Sequence, residues 1–135
     1  MAVQDKWVTL GAYFKVKPGE LEAFEKLADQ FVEATSRESG MRFYGWSFEG
    51  DEAHCRHGYL DAEGLLEHAA NVAHLFQAAL QIADCTKMGI HGPEEELAKL
   101  RGPVKGFKEE MMKIRGPVAV FEEPQFFVMR NSFRR

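Results

Sequence analysis

The sequence predicts an α+β fold in which an antiparallel sheet carries two helices on one face. Three observations predict it: an alternating apolar run near residue 10, two long segments with apolar residues at helical spacing, and two short β-prone runs between those segments. With a further strand after the second helix, the order of elements becomes βαββαβ.

The first strand is predicted from "WVTLGAYFKV", where apolar residues alternate with others. One face carries Val8, Leu10, Ala12, Phe14 and Val16, and the opposite face carries Trp7, Thr9, Gly11, Tyr13 and Lys15. After the break "KPG", apolar residues recur at helical spacing as Leu21, Phe24, Leu27, Ala28 and Phe31. We therefore expect a half-buried strand followed by an amphipathic helix from about Gly19 to Arg37.

A hairpin and a second helix are predicted next. "MRFYGWSFEG" and "AHCRHGYL" are β-prone and are separated by the polar turn "EGDE", which is typical of antiparallel strands joined in a hairpin. In "DAEGLLEHAANVAHLFQAALQI", Asp61 is suited to cap the helix N-terminus. The apolar stripe of this helix comprises Leu65, Ala69, Val72, Phe76, Ala79 and Leu80.

"CTKMGIHG" is predicted to be the fourth strand, which completes the ferredoxin-like βαββαβ arrangement. The chain then contains an echo, "KLRGPV" and "KIRGPV", in which Gly and Pro follow basic residues as they do where helices end. The echo predicts two short helices, about Pro93 to Leu100 and Val104 to Ile114. The run "VAVFEEPQFFVMRNSF" is expected to return to the sheet or to a partner's edge, with a break at Pro124.

Composition and charge narrow the class of protein. The 135 residues fit one domain spanning 1–135, and 45% hydrophobic residues with eleven Phe indicate an ordered globule. A net charge of −4 without a basic cluster argues against a nucleic-acid partner, and no apolar run is long enough to span a membrane. The start of the sequence has no signal-peptide pattern, so a cytoplasmic protein is expected, with Cys55 and Cys85 as buried free thiols.

The second face of the predicted sheet is partly apolar. Trp7 and Tyr13 fall on that face of the first strand, and phenylalanines occur on both faces of "MRFYGWSF" and "PQFFVMRNSF". Leaving these rings in water is unfavourable by roughly 25 cal/mol per Å² of apolar area. We therefore expect a homodimer in which two sheets pack face to face.

Four stretches resemble the antibiotic biosynthesis monooxygenase-like proteins: "VTLGAYFKVKPGELEAFEKLA", "SRESGMRFYGWSF", "YLDAEGLLEHAANVAHLF" and "IHGPEEELAKLRGPV". The resemblance implies a dimeric α+β barrel built from ferredoxin-like subunits. It also implies oxidation of an aromatic quinol or anthrone by O₂ without a metal or bound coenzyme, in an apolar cavity with a base for the phenol. The added segment "KGFKEEMMKI" departs from typical members. The haem-degrading relatives use an Asn on the first strand, a Trp on the second helix and a His further on, and only the His could be matched in this chain.

His68 is the candidate catalytic base. It lies on the apolar side of the second helix and matches the helix histidine that many family members show at "EH", although a histidine at the edge of the core would give the same pattern. His74 points to another side of the helix and is a weaker candidate for substrate contact. The other candidate substrate-binding residues are Tyr44, Trp46 and Tyr59, as aromatic lining, and Arg42, as a partner for an anionic oxygen.

No metal site is predicted. In "AHCRHG" a strand would place Cys55 and His57 on one face and His54 on the other, and only His91 could be added to them. The acidic "EEE" at 94–96 fits a solvated helix N-terminus. The sequence thus leaves three functions open. The first is a cofactor-independent monooxygenase of the quinol type, and the second is a non-catalytic dimer that binds an apolar small molecule in the same cavity. The third is a purely structural assembly protein, which would have no enclosed cavity.

Overall fold

The computed structural model describes residues 5–114 and 120–135. The elements follow in the order β1 (Val8–Val16), α1 (Leu21–Thr35), β2 (Met41–Glu49), β3 (Glu52–Tyr59), α2 (Ala62–Ile82), β4 (Ala83–Gly92), α3 (Glu94–Ile114) and β5 (Gln125–Val128). The first six elements are those predicted, with bounds within about two residues of the expected ones. None of the described helices is long and apolar enough to cross a membrane.

The five strands form one mixed sheet in the order β2-β3-β1-β4-β5. β1 pairs antiparallel with both β3 and β4, and β2 pairs antiparallel with β3, which is the ferredoxin-like arrangement. The predicted α+β fold class is therefore confirmed. The sheet differs from the prediction in one respect, because β5 runs parallel to β4 and the sheet is not wholly antiparallel. Parallel pairing follows from the crossover through α3, which carries the chain back to the starting end of β4.

The inner face of the sheet forms the hydrophobic core with the helices. All five apolar residues of β1 are buried, and the alternation read from the sequence is present in the structure. α1 contributes the buried residues Phe24, Ala28 and Phe31, and α2 begins as predicted, with the Asp61 carboxylate accepting a hydrogen bond from the backbone N–H of Gly64 at 2.9 Å. Cys55 and Cys85 are both free and buried.

The segment after β4 forms one helix where two short helices were predicted. α3 spans 21 residues and contains Pro103, so the pattern Gly102-Pro103 does not end it. Pro103 cannot donate to the helix, but apolar residues continue at spacings of three and four on both sides of it: Leu97, Leu100, Val104, Phe107 and Met111. Packing of this stripe against the core outweighs the local signal to stop. The second copy of the echo runs into residues 115–119, which lie outside the described part of the chain.

The "EEE" at the start of α3 also differs from the prediction of a solvated helix end. Glu96 is only 2% exposed, and its carboxylate accepts a hydrogen bond at 2.9 Å from the backbone N–H of Ala62, at the start of α2. Lys99 donates to the other oxygen at 3.2 Å. Burial alone would raise the pKa of Glu96, but the hydrogen bonds from Ala62 and Lys99 outweigh burial and lower it. Glu96 thus ties α3 to the first turn of α2.

The outer face of the sheet carries aromatic rings that lie over glycines. The Phe43 ring occupies the space next to Gly58, where a Cβ atom would come within 2.5 Å of the ring. His54 covers Gly11 in the same way, with 3.2 Å to a Cβ built there, and it stacks on Tyr13 at 4.2 Å between ring centroids. A side chain at Gly58 would have to displace the Phe43 ring, whereas one at Gly11 would require only a small shift of His54. Tyr13 remains 37% exposed, so the face has apolar surface left for a partner, and the homodimer stays a prediction.

Candidate functional site

A cavity lies between the inner face of the sheet and the helices α2 and α3. Its volume, measured as the space open to the centre of a water molecule, is about 80 Å³. Apolar side chains make up nearly all of its wall, and the polar or ionisable side chains that reach it are Tyr44, Trp46, Cys55, His57 and His68. A cavity of this kind favours a ligand that is mostly apolar and carries few hydrogen-bonding atoms.

α3 completes the wall on the side away from the sheet. Pro103, Val104 and Phe107 line the cavity, and the Phe107 ring packs on Phe76 of α2 with 5.3 Å between centroids. The residues that follow the predicted helix break are therefore part of the site.

His68 is held by a buried carboxylate. It lies on α2 and is 5% exposed, and its Nδ1 is 2.9 Å from Oε2 of Glu38 and 3.1 Å from Oε1. Glu38 follows α1 and has a side chain that is 3% exposed. Because a carboxylate can only accept when ionised, the Nδ1 atom of His68 carries the hydrogen, and Nε2 of a neutral ring is left with its lone pair.

Asn71 fixes the carboxylate in turn. Its side-chain amide donates to Oε2 of Glu38 at 2.8 Å and to the backbone carbonyl of Ala34 at 3.1 Å. Asn71 lies three residues after His68 on α2, so both side chains reach the same carboxylate from one side of the helix. The result is a hydrogen-bonded chain that runs from Asn71 through Glu38 to His68.

A second imidazole lies next to the first. The ring centroids of His57 and His68 are 5.1 Å apart. His57 is 5% exposed, and its Nδ1 is hydrogen-bonded to the hydroxyl of Tyr59, which is fully buried. Burial, followed by the nearby His68 and His54 rings, holds the pKa of His57 well below its ordinary value. Burial also raises the pKa of the Tyr59 hydroxyl, with a further contribution from Glu38.

Aromatic side chains of β2 form the floor of the site. The Trp46 indole N–H donates to the Tyr44 hydroxyl at 3.2 Å, and the Trp46 ring packs on Phe14 at 5.6 Å and Phe31 at 5.4 Å between centroids. Burial raises the pKa of Tyr44, and it raises the pKa of the Cys55 thiol to about 12. Both groups are therefore protonated at neutral pH and can act as hydrogen-bond donors but not as anions.

The structure brings some of the sequence-predicted residues together and leaves others apart. His68, Tyr44 and Trp46 line the cavity, and Tyr59 lies behind His57, with its ring centroid 5.3 Å from that of His68. The two remaining candidates are not at the cavity. His74 is on an exposed side of α2, and Arg42 is exposed and donates to the backbone carbonyl of Ser39 at 3.3 Å. A register shift in β2 between Met41 and Phe43 interrupts the alternation that would have put Arg42 beside Tyr44.

Glu38, Asn71 and the pocket position of His57 were missed by sequence reasoning. The alternation of β3 places His57 on the same face as Cys55, but alternation alone does not indicate that this ring reaches a cavity. Glu38 lies 30 positions from His68, in a connection between elements, and no local periodicity marks such a contact. Among the described residues, no three His, Cys, Asp or Glu side chains are grouped as a metal site requires.

The fold and the cavity define a ferredoxin-like α+β protein with an apolar pocket between its sheet and its helices. The sequence profile of the antibiotic biosynthesis monooxygenase family matches residues 7–56. The solved structure of MupZ from Pseudomonas fluorescens is 38% identical, with a TM-score of 0.81, and the match covers 97% of this chain and 96% of that one. The chain belongs to the antibiotic biosynthesis monooxygenase family, and this membership supports a monooxygenase-like function.

More distant structures share the fold over part of the chain. A conserved protein from Methanosarcina mazei is 21% identical with a TM-score of 0.59, and the match covers 63% of this chain and 90% of that one. Rv0793 from Mycobacterium tuberculosis is 21% identical with a TM-score of 0.58, and the match covers 64% and 94%. No curated protein matches the chain. The likeness to MupZ extends over about a third of the chain that these shorter structures do not match.

Proposed function

We propose that this protein is a cofactor-independent monooxygenase that oxidises an apolar quinol-like or anthrone-like molecule with O₂, and that His68 is its base. The observation that carries the proposal is the hydrogen-bonded chain that runs from Asn71 through the buried Glu38 to the buried His68 and ends at the wall of an apolar cavity. Nδ1 of His68 is occupied by Glu38, so Nε2 is the atom that receives the proton of the substrate hydroxyl.

Loss of that proton gives an electron-rich anion that can pass an electron to O₂ without help from a metal. The overall change for an anthrone is oxidation of its CH₂ group to a carbonyl, with one oxygen atom of O₂ entering the product and the other leaving as water. Glu38 stabilises the imidazolium that forms on His68, because the two charges then lie 2.9 Å apart in a site shielded from water. The apolar wall excludes water from the reactive intermediates.

The buried carboxylate favours this function over a non-catalytic binding protein. Burying Glu38 and His68 away from water has a large desolvation cost in free energy. Binding of an apolar ligand would not offset that cost, because such a ligand makes no hydrogen bond to the pair. An enzyme that must accept and release a proton does gain from it. The same argument supports His68 as a functional group over a histidine that merely completes the core.

The test is oxygen uptake by metal-free protein against a panel of quinols and anthrones. We expect saturable uptake that His68→Ala abolishes and that Glu38→Gln lowers about 10- to 100-fold, by analogy with the loss seen when the hydrogen-bond partner of a metal-binding histidine is removed. His74→Ala is the matched control, because it removes an exposed histidine from the same helix. Uptake that persists unchanged in His68→Ala would contradict the role of His68. Conversion of a substrate without oxygen uptake would assign the site to proton transfer alone.

We further propose that the protein acts as a homodimer. The partner is a second copy packed against the outer face of the sheet, where Tyr13 and the rings above the glycines offer apolar area. The cavity lies on the opposite face of the sheet from this surface, so each subunit would keep its own site.

A further inference from the structure

The two cavity histidines have chemically different hydrogen-bond partners at Nδ1. His68 has a carboxylate at Nδ1, and His57 has the hydroxyl of Tyr59 at Nδ1. Neither ring has a hydrogen bond at Nε2 to any residue that the structure describes, and both rings line the cavity. The chemical state of each Nε2 atom can therefore be worked out from what its Nδ1 partner requires.

The Tyr59 hydroxyl decides the tautomer of His57. Tyr59 is fully buried, and His57 is the only hydrogen-bond partner its hydroxyl has among the described residues. If His57 donated from Nδ1, the buried O–H of Tyr59 would have no acceptor, at a cost of about 1–3 kcal/mol. The hydroxyl therefore donates to Nδ1 of His57, and the ring carries its hydrogen on Nε2. The depressed pKa of His57 is consistent with a neutral ring in this state.

The site thus holds two neighbouring imidazoles in complementary states. Nε2 of His68 is an acceptor, and Nε2 of His57 is a donor. The two rings are neighbours, with 5.1 Å between centroids, and both line the same cavity. A substrate oxygen that enters the cavity between them therefore meets both rings.

We propose that His57 is a second catalytic residue, which donates a hydrogen bond from Nε2 to the substrate oxygen while His68 removes the proton from it, and that Tyr59 is the positioning residue that fixes His57 in the donating tautomer. The proposal rests on the proposed function and names the group that stabilises its anion. The O–H bond of the substrate breaks, and its hydrogen forms a bond to Nε2 of His68. His57 keeps its own proton throughout, and the electron pair left on the substrate oxygen accepts the His57 hydrogen bond.

The recognised part of the substrate follows from this arrangement. It is a hydroxyl, or the enol oxygen of an anthrone, attached to an apolar frame. A carboxylate or phosphate would bring its own charge into a wall that offers no cationic side chain among the cavity-lining residues. We therefore infer an uncharged substrate with one ionisable oxygen at the end that enters first.

The tautomer is tested by long-range ¹H–¹⁵N spectra of the imidazole groups at pH 7.5, which need no substrate. His57→Gln assigns the signals. We expect a hydrogen on Nε2 of His57 and on Nδ1 of His68, and we expect Tyr59→Phe to move the Nδ1 signal of His57 and mix its tautomers. A hydrogen on Nδ1 of His57, or a spectrum that Tyr59→Phe leaves unchanged, would overturn the proposal. Titration with 2-naphthol should then move the Nε2 signals of both histidines together, and movement of His68 alone would also overturn it.

Turnover separates a donor from a residue that only fills space. His57→Phe keeps the ring volume without a donor, and His57→Gln retains an N–H. We expect kcat to fall about 100-fold in His57→Phe and less in His57→Gln, with small changes in KM, because the hydrogen bond strengthens as charge develops. Equal kcat values in the two variants would count against the donor role. Absence of oxygen uptake in the wild-type protein would instead count against the proposed function, and the spectra would still decide the state of His57.

Discussion

The low pKa of His57 makes the stability of the fold depend on pH in a defined window. Burial keeps the folded-state ring neutral, whereas the same ring in the unfolded chain takes up a proton near its ordinary pKa of 6.5. Below that pH the unfolded state binds more protons than the folded state, so stability is present at neutral pH and is lost as the pH falls below 6.5. One group can contribute at most about 1.4 kcal/mol per pH unit, which sets a ceiling of about 2 kcal/mol between pH 6.5 and pH 5.

The assay is urea unfolding of wild type and His57→Gln at pH 7 and pH 5, at one protein concentration. We expect the wild type to lose up to about 2 kcal/mol more than the variant between these two values, because Gln cannot be protonated. The comparison between pH values within each protein cancels the change in packing that the substitution causes. His74→Gln removes an exposed histidine and should keep the wild-type pH dependence. If His57→Gln loses as much stability as the wild type, the buried neutral state of His57 is refuted.

Three further outcomes follow from the packing. Glu96→Ala should lower the free energy of unfolding by about 2 kcal/mol, because it leaves the buried N–H of Ala62 without an acceptor. The control Glu95→Ala, at an exposed neighbour, should change it by less than about 0.5 kcal/mol. Equal values for the two variants in urea unfolding would contradict the tie between α3 and α2. Phe107→Ala should lower the free energy of unfolding by about 2 kcal/mol, which is less than the loss at a fully buried Phe. It should also enlarge the cavity and so raise the affinity for a ligand larger than 2-naphthol. Fluorescence titrations that show no gain in affinity would contradict the role of Phe107 in the cavity wall. Tyr13→Glu should weaken self-association in sedimentation velocity without loss of secondary structure, and an unchanged sedimentation coefficient would place the proposed dimer contact elsewhere.

The strands and the first two helices could be predicted because their signals are local. Alternation in β1 and the stripe of α2 each depend on which residues can be buried by a single regular element. The prediction of two helices in place of α3 was wrong because a local signal for a helix end was given more weight than the apolar spacing that continues past it. Gly102-Pro103 is a strong local sign of a helix end, but the apolar spacing from Leu97 to Met111 continues across it, and tertiary packing decided the outcome.

The site could be predicted only in part, for a related reason. The helical position of His68 indicated that it faces the core side, and the strand positions of Tyr44 and Trp46 indicated a shared face. The partner of His68 could not be found in this way, because Glu38 reaches it across the space between a connecting segment and a helix. Regular alternation along β2 predicts that Arg42 shares a face with Tyr44. The register shift between Met41 and Phe43 breaks that alternation, so Arg42 does not lie at the cavity.

Residues of β3 alternate between the cavity face and the outer face of the sheet, so a mutational scan along this one strand can test both faces. Successive residues of a strand point to opposite faces, so Cys55, His57 and Tyr59 face the cavity side, whereas His54 and Gly58 lie on the outer face. Odd-numbered positions should therefore produce variants with altered chemistry, and even-numbered ones variants with altered assembly. Gly58 lies between the two residues of the donor pair, yet a side chain there would displace the Phe43 ring on the other face. If the phenotypes alternate along these few residues, catalysis and assembly depend on different faces of the sheet.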